Sequence, residues 1–156
     1  MAGAKKSVVM HVGLEALWQA ITDYEGYSDF VDGCAKCKVL KRKGNIVTVE
    51  YTVNKMKQFS YVLEHKETPM TGVEWKMLEG EFFKSNQGSW KIKDLGKKGL
   101  AVDYELEVGF PLLVPKAIVN GLVSTSLPEM LDGFEKRAAE IEKKGAKKAK
   151  KPTAKK

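Results

Sequence analysis

Long apolar runs are missing from this 156-residue chain. No stretch of about 18 apolar residues occurs, so no membrane-spanning helix is expected. The opening residues Met1-Ala-Gly-Ala-Lys-Lys-Ser lack the apolar core of a secretory signal, so a cytoplasmic protein is expected. Cysteine is scarce, with only Cys34 and Cys37. Their Cys-x-x-Cys spacing does not make a zinc site, which would need two further ligands; no second pair exists, and neither His11 nor His65 stands at ligand spacing. A redox dithiol usually opens a helix after a strand. This pair instead enters a strand, where residues three apart point to opposite faces. Two reduced, structural cysteines and no metal are therefore expected. His11 falls on the polar phase of its strand and His65 ends one beside Lys66 and Glu67, so both read as surface or strand-end histidines. No Gly-x-Ser-x-Gly elbow is present, which excludes a triad hydrolase of that type. No phosphate-binding glycine loop is present either. No catalytic residue and no cofactor can be named.

The chain does carry charge, but unevenly. The net charge is +7, yet residues 143–156 hold eight lysines and no acid. Without them the body has 19 basic and 20 acidic residues. A tail of Lys, Ala, Gly, Pro and Thr has too little apolar surface to order itself. It reads either as a solubilising tail or as a contact for an anionic membrane surface or RNA. It has no aromatic residue to stack on bases, which argues against sequence-specific RNA binding.

Hydrophobic periodicity divides the body into strands and helices. Val8, Met10 and Val12 alternate in a first strand. Leu14, Leu17, Trp18 and Ile21 then follow helical spacing, and Tyr24, Tyr27, Phe30 and Val31 mark a second short helix. From Cys34 on, alternation resumes in six segments separated by turns, among them Lys43-Gly44-Asn45. A bulge or bend is expected at Gly88, and a bulge there would turn Trp90 to the other face. The chain closes with a helical stretch, Pro115 to Glu142. Its apolar positions Ile118, Val119, Leu122, Val123, Leu127, Met130, Leu131, Phe134, Ala138 and Ile141 form one stripe. Such a helix is about 42 Å long, enough to cross a sheet. Pro128 should kink it by removing one donor and freeing the Ser124 carbonyl.

One helix laid across a curled sheet leaves two apolar faces that need not fill each other. The space between them is the candidate binding chamber. Tyr51, Phe59, Tyr61, Trp75, Phe83, Trp90 and Tyr104 fall largely on inward phases. A buried Tyr or Trp must place its O–H or N–H against a partner. Either these rings simply pack the core, or several such groups converging on an apolar space have the character of a ligand pocket. With neighbouring inward positions, the expected ligand-binding set is Val49, Tyr51, Phe59, Tyr61, Trp75, Met77, Phe83, Trp90, Tyr104 and Leu106 from the sheet side, with Val119, Leu122, Val123, Ser126 and Met130 from the helix.

The succession Leu17-Trp18-Gln19-Ala20-Ile21-Thr22-Asp23-Tyr24, Tyr27-Ser28-Asp29-Phe30, Leu78-Glu79-Gly80-Glu81-Phe82-Phe83-Lys84, Asn86-Gln87-Gly88-Ser89-Trp90-Lys91-Ile92, Pro115-Lys116-Ala117-Ile118-Val119-Asn120 and Leu127-Pro128-Glu129-Met130-Leu131 resembles the START-like (helix-grip) superfamily. It is most similar to the bacterial polyketide cyclase/dehydrase and coenzyme Q-binding protein branch. The chain departs from many relatives at Gly13-Leu14-Glu15, where they have Ser-Pro-Glu, and at Val31-Asp32, where they have a proline. The resemblance implies an α+β helix-grip fold: a curved antiparallel sheet of about seven strands wrapped on a long C-terminal helix, with two short helices after strand 1. Residues 1–142 would form one START-like ligand-binding domain and residues 143–156 a disordered Lys-rich tail. The implied function is binding or carrying a hydrophobic small molecule such as a lipid, isoprenoid quinone or polyketide-like compound. The alternatives are a ribosome- or RNA-associated interaction protein and a polyketide cyclase/dehydratase. A monomer, cytoplasmic or membrane-peripheral, is expected.

Overall fold

Alternation in residues 46–54 sets the character of the sheet. Val47, Val49 and Tyr51 are buried, while Thr48, Glu50 and Thr52 between them keep partial exposure. Successive strand side chains point to opposite faces, so this pattern produces one dry and one wet face. The computed structural model describes residues 2–31, 33–54, 58–109 and 126–150. The chain order is β1 (Ala2–Met10), α1 (Leu14–Thr22), a 3₁₀ helix (Tyr24–Asp29), β2 (Cys34–Lys43), β3 (Ile46–Asn54), β4 (Gln58–Thr68), β5 (Gly72–Gly80), β6 (Ser85–Asp94), β7 (Leu100–Gly109) and α2 (Ser126–Lys150). The seven strands make one sheet in the order β1-β7-β6-β5-β4-β3-β2. All six pairings are antiparallel. The α+β helix-grip architecture expected from the sequence is the one observed.

Local chemistry explains the turns and bends. Gly44 joins β2 to β3 with φ 59°, a conformation that costs glycine little and suits a two-residue hairpin. Gly88, by contrast, does not bulge. The registers of β6 with both neighbours run through it unshifted, pairing it with Trp75 and Leu106. Its missing side chain serves the Trp75 ring instead: a Cβ there would lie 2.4 Å from Trp75 Cζ2 and 2.3 Å from the Glu105 carbonyl oxygen. Trp90 therefore stays inward, 5% exposed. The register shifts lie in β2, between Cys34 and Lys36 and between Val39 and Lys41, and in β5, where Leu78 is the extra residue opposite Val62 and Leu63. Each adds local twist, which helps the sheet curl.

Helix α2 buries Leu127, Leu131, Phe134 and Ala138, one stripe at helical spacing. The Phe134 ring packs edge-on against Trp90 at 4.9 Å, Tyr27 at 5.2 Å and Phe30 at 4.9 Å. Two of its carboxylates hold the start of α1: Glu135 accepts the His11 N–H and Glu142 the Gly13 N–H, both at 2.9 Å. The second bond satisfies a backbone donor next to α1, whose N-cap, Gly13, has no side chain to contribute. The helix runs on to Lys150, so residues 143–150 are helical, although their composition led us to expect disorder. Pro115, Ile118, Val119, Leu122, Val123 and Ser124 lie outside the described residues. Pro128 is the third residue of the described helix, and the kink expected at the Ser124 carbonyl falls outside the description too. No described helix is long and apolar enough to cross a membrane.

Candidate functional site

The concave side of the sheet, the segment after α1 and helix α2 enclose a cavity of about 230 Å³. Strand parity supplies most of its wall. Tyr51 and Val53 come from β3, Tyr61, Leu63 and His65 from β4, and Val73 and Trp75 from β5. Asn86 and Trp90 come from β6, and Tyr104, Leu106 and Val108 from β7. Ile21, Tyr24, Tyr27, Val31, Gly33 and Cys34 close one end, Phe83 stands at another, and Met130 and Phe134 form the roof.

Of the residues expected from the sequence, Tyr51, Tyr61, Trp75, Phe83, Trp90, Tyr104, Leu106 and Met130 are brought together around this space. Three others are not. Val49 is completely buried in the core. Phe59 lies against Tyr61, Phe82 and Phe83, outside the wall. Met77 is half-buried, packed against the core. Val119, Leu122 and Val123 lie outside the described residues, as does the side chain of Ser126. The sequence reading missed Tyr24, Tyr27 and His65. His65 is 3% exposed, not a surface residue. Its parity with Tyr61 and Leu63 was the available signal.

Most polar groups in the wall are already held by protein. The His65 Nδ1–H donates to the Val47 carbonyl at 3.3 Å, which leaves Nε2 to accept the Tyr51 O–H at 2.8 Å. Burial pushes the His65 pKa down to about 4, outweighing the Val47 bond and the Glu67 charge that oppose it. The ring is therefore neutral at pH 7. Trp75 Nε1–H donates to Asn86 Oδ1 at 3.1 Å. Tyr27 O–H donates to the Ile21 carbonyl. Tyr24 O–H donates to Glu67 at 2.7 Å, and Arg42 grips the same carboxylate at 3.1 and 3.4 Å. This cluster ties the 3₁₀ helix to β2 and β4 beneath one end of the cavity, and it keeps a buried carboxylate paired.

Three donors stand apart. The hydroxyls of Tyr61 and Tyr104 and the indole N–H of Trp90 line the cavity without a hydrogen bond to any described residue. Among the described residues no fully buried side-chain nitrogen or oxygen lacks a partner. Burial pushes both tyrosine pKa values up; the hydroxyls keep their protons at neutral pH and act as donors, not bases. The rings carrying them are fixed by neighbours: Tyr61 stacks on Tyr51 at 5.2 Å and 13°, and Tyr104 meets Trp90 edge-on at 4.8 Å. No Asp or Glu is among the described wall residues. The site can therefore enclose an apolar body and orient an acceptor oxygen on it.

Comparison with known proteins agrees with this architecture. The family model described as "Polyketide cyclase / dehydrase and lipid transport" matches residues 10–135. The chain is similar to the ribosome association toxin RatA of Pseudomonas aeruginosa, at 23% identity over 88% of this chain and 95% of that one. RatA of Escherichia coli K12 is 19% identical over 90% of this chain and 89% of its own. Among solved structures, a START superfamily protein from Mycobacterium smegmatis superposes with TM-score 0.77 at 17% identity, covering 89% of this chain and 98% of its own. The Zhui aromatase/cyclase from Streptomyces sp. R1128 superposes with TM-score 0.65 at 15% identity, covering 90% and 88%. With that match running from the end of β1 into α2, the chain belongs to the polyketide cyclase/dehydrase and lipid transport family and has its START-like, helix-grip fold.

Proposed function

We propose that the protein binds or carries a hydrophobic small molecule, a lipid, isoprenoid or polyketide-like compound, in the cavity between sheet and C-terminal helix. The observation that carries this is the pairing of an aromatic, apolar wall with donors on Tyr61, Tyr104 and Trp90 that make no hydrogen bond to any described residue. Pockets for small molecules combine a greasy lining with a few placed polar groups. A volume of about 230 Å³ exceeds the ~150 Å³ cavity that admits benzene. It falls short of the ~300–1,000 Å³ typical of drug-sized ligands. It suits a ring system or a short acyl or prenyl segment bearing an oxygen. Catalysis would need a general acid–base pair; the wall offers donors, and its one neutral imidazole is already engaged by Tyr51. Binding is thus favoured over cyclase or dehydratase turnover. Native mass spectrometry of protein purified without detergent, followed by solvent extraction, tests the proposal. A hydrophobic adduct released on unfolding is expected. A ligand-free protein that also fails to take up an apolar fluorescent probe would refute it.

A second reading draws on the RatA relatives. The edge strand β2 exposes Lys36, Lys38, Lys41 and Lys43, and α2 exposes Lys143 and Lys144 at the start of the lysine-rich end. These charges fit an RNA backbone or, for a carrier, an anionic membrane surface. Co-sedimentation with ribosomes that weakens with salt and is lost on deleting 143–156 would favour an RNA-associated role. Association unaffected by that deletion would count against it.

A further inference from the structure

Cys34 and Cys37 should face opposite ways on a regular strand. They do not, because β2 has a register shift between Cys34 and Lys36. Ala35 is the extra residue. Cys34 then pairs with Val53 and Cys37 with Tyr51, two positions apart on β3 and so on the same face. The two Sγ atoms stand 3.1 Å apart. The sequence expectation that the two side chains point to opposite faces is overturned by this bulge. The two thiols also differ in setting. Cys37 is buried, while Cys34 is half-buried and contributes to the cavity wall. The hydrogen bond between them lowers the Cys34 pKa, against the opposing effect of burial. The same bond, with burial, raises that of Cys37. Such a pair sets a more acidic, partly exposed thiol beside a sheltered one that can follow it.

We propose that Cys34 and Cys37 are a dithiol oxidation site, in which Cys34 reacts first with a low-molecular-weight disulfide and Cys37 resolves the product into an intramolecular disulfide. In the first step the Cys34 thiolate attacks one sulfur of the small disulfide. A protein–small-molecule S–S bond forms, and one thiolate leaves. In the second step the Cys37 sulfur attacks Cys34 Sγ, forming the internal S–S bond and expelling the second thiolate. The two leaving thiolates take up the two protons lost by the cysteines, so the protein is oxidised by two electrons and the small disulfide reduced to two thiols. The proposal holds whatever the cavity contains.

Full-length protein incubated with oxidised glutathione and read by intact mass and peptide mapping tests it. The wild type should end two hydrogens lighter, with the Cys34 and Cys37 peptides joined, and should return to its starting mass with a dithiol reductant. Cys37→Ser should stop at one stable glutathione adduct on Cys34. Cys34→Ser should form an adduct on Cys37 about tenfold more slowly, as expected of a buried thiol. Wild-type protein that retains two free thiols or collects two separate adducts would overturn the proposal. An adduct in Cys34→Ser as fast as in Cys37→Ser would overturn the assigned order. The wild-type mass change decides the main point even if a variant fails to fold.

Discussion

Acid should destabilise this protein through one imidazole. His65 is enclosed by Tyr24, Tyr51 and Trp75, with ring centroids 4.5, 5.8 and 6.4 Å away. Its folded-state pKa is about 4 against an ordinary 6.5. Between these values the unfolded chain binds a proton that the folded chain refuses. Stability from this group is therefore complete above pH 6.5 and is lost as pH falls toward 4. The gap of about 2.5 units, at 1.36 kcal/mol per unit, amounts to roughly 3 kcal/mol. Urea unfolding of wild type and His65→Gln at intervals from pH 7.5 to 4 measures it. Glutamine keeps a donor and an acceptor but does not titrate, so the difference between the two curves removes the contribution of the carboxylates. The wild type should lose about 3 kcal/mol more than the variant across the window, with a slope approaching 1.4 kcal/mol per pH unit in its middle. Parallel curves, or a His65 ring resonance that titrates near 6.5 in the folded protein, would refute the burial argument.

Other consequences can be checked separately. Tyr61→Phe and Tyr104→Phe should each weaken binding of the extracted ligand about two- to tenfold, the worth of one neutral hydrogen bond, with little change in melting temperature because neither hydroxyl bonds a described residue. Gly88→Ala should cost about 1–3 kcal/mol in denaturant unfolding, since the new methyl group meets both the Trp75 ring and the Glu105 carbonyl. Phe134→Ala should cost about 3–5 kcal/mol and enlarge the cavity, so that a bulkier apolar probe gains affinity relative to a small one.

The architecture was legible because burial imposes a period on the sequence. Val47, Val49 and Tyr51 announce a half-buried strand, and Leu127, Leu131, Phe134 and Ala138 a helix stripe, with no tertiary information. The wall was legible only where parity alone decides it. Phe59 shares the parity of Tyr61, yet it packs on Phe82 and Phe83 beyond the end of the cavity; parity gives a face, not a position along it. His65 also shares that parity, but its polar character read as surface, and only the Tyr51 and Val47 partners show why burial is tolerated. Gly88 looks like a bulge or bend in the sequence because the ring that needs its space comes from another strand. The shift at Ala35 has neither glycine nor proline to announce it, so the meeting of the two thiols was invisible in the sequence.

The position of β1 carries a consequence for how the chain acquires its structure. Strands β2 to β7 are a run of neighbours, each able to pair as soon as the next has been made. The first strand has no early partner. It must wait for β7, and the Ser7 hydroxyl reaches Asp103 at 2.6 Å across 96 positions. Closing so large a loop has an entropic cost and is slow compared with zipping local hairpins. During vectorial synthesis the β2–β7 meander should form while β1 is still unattached, so β1 joins the sheet only once β7 has been made.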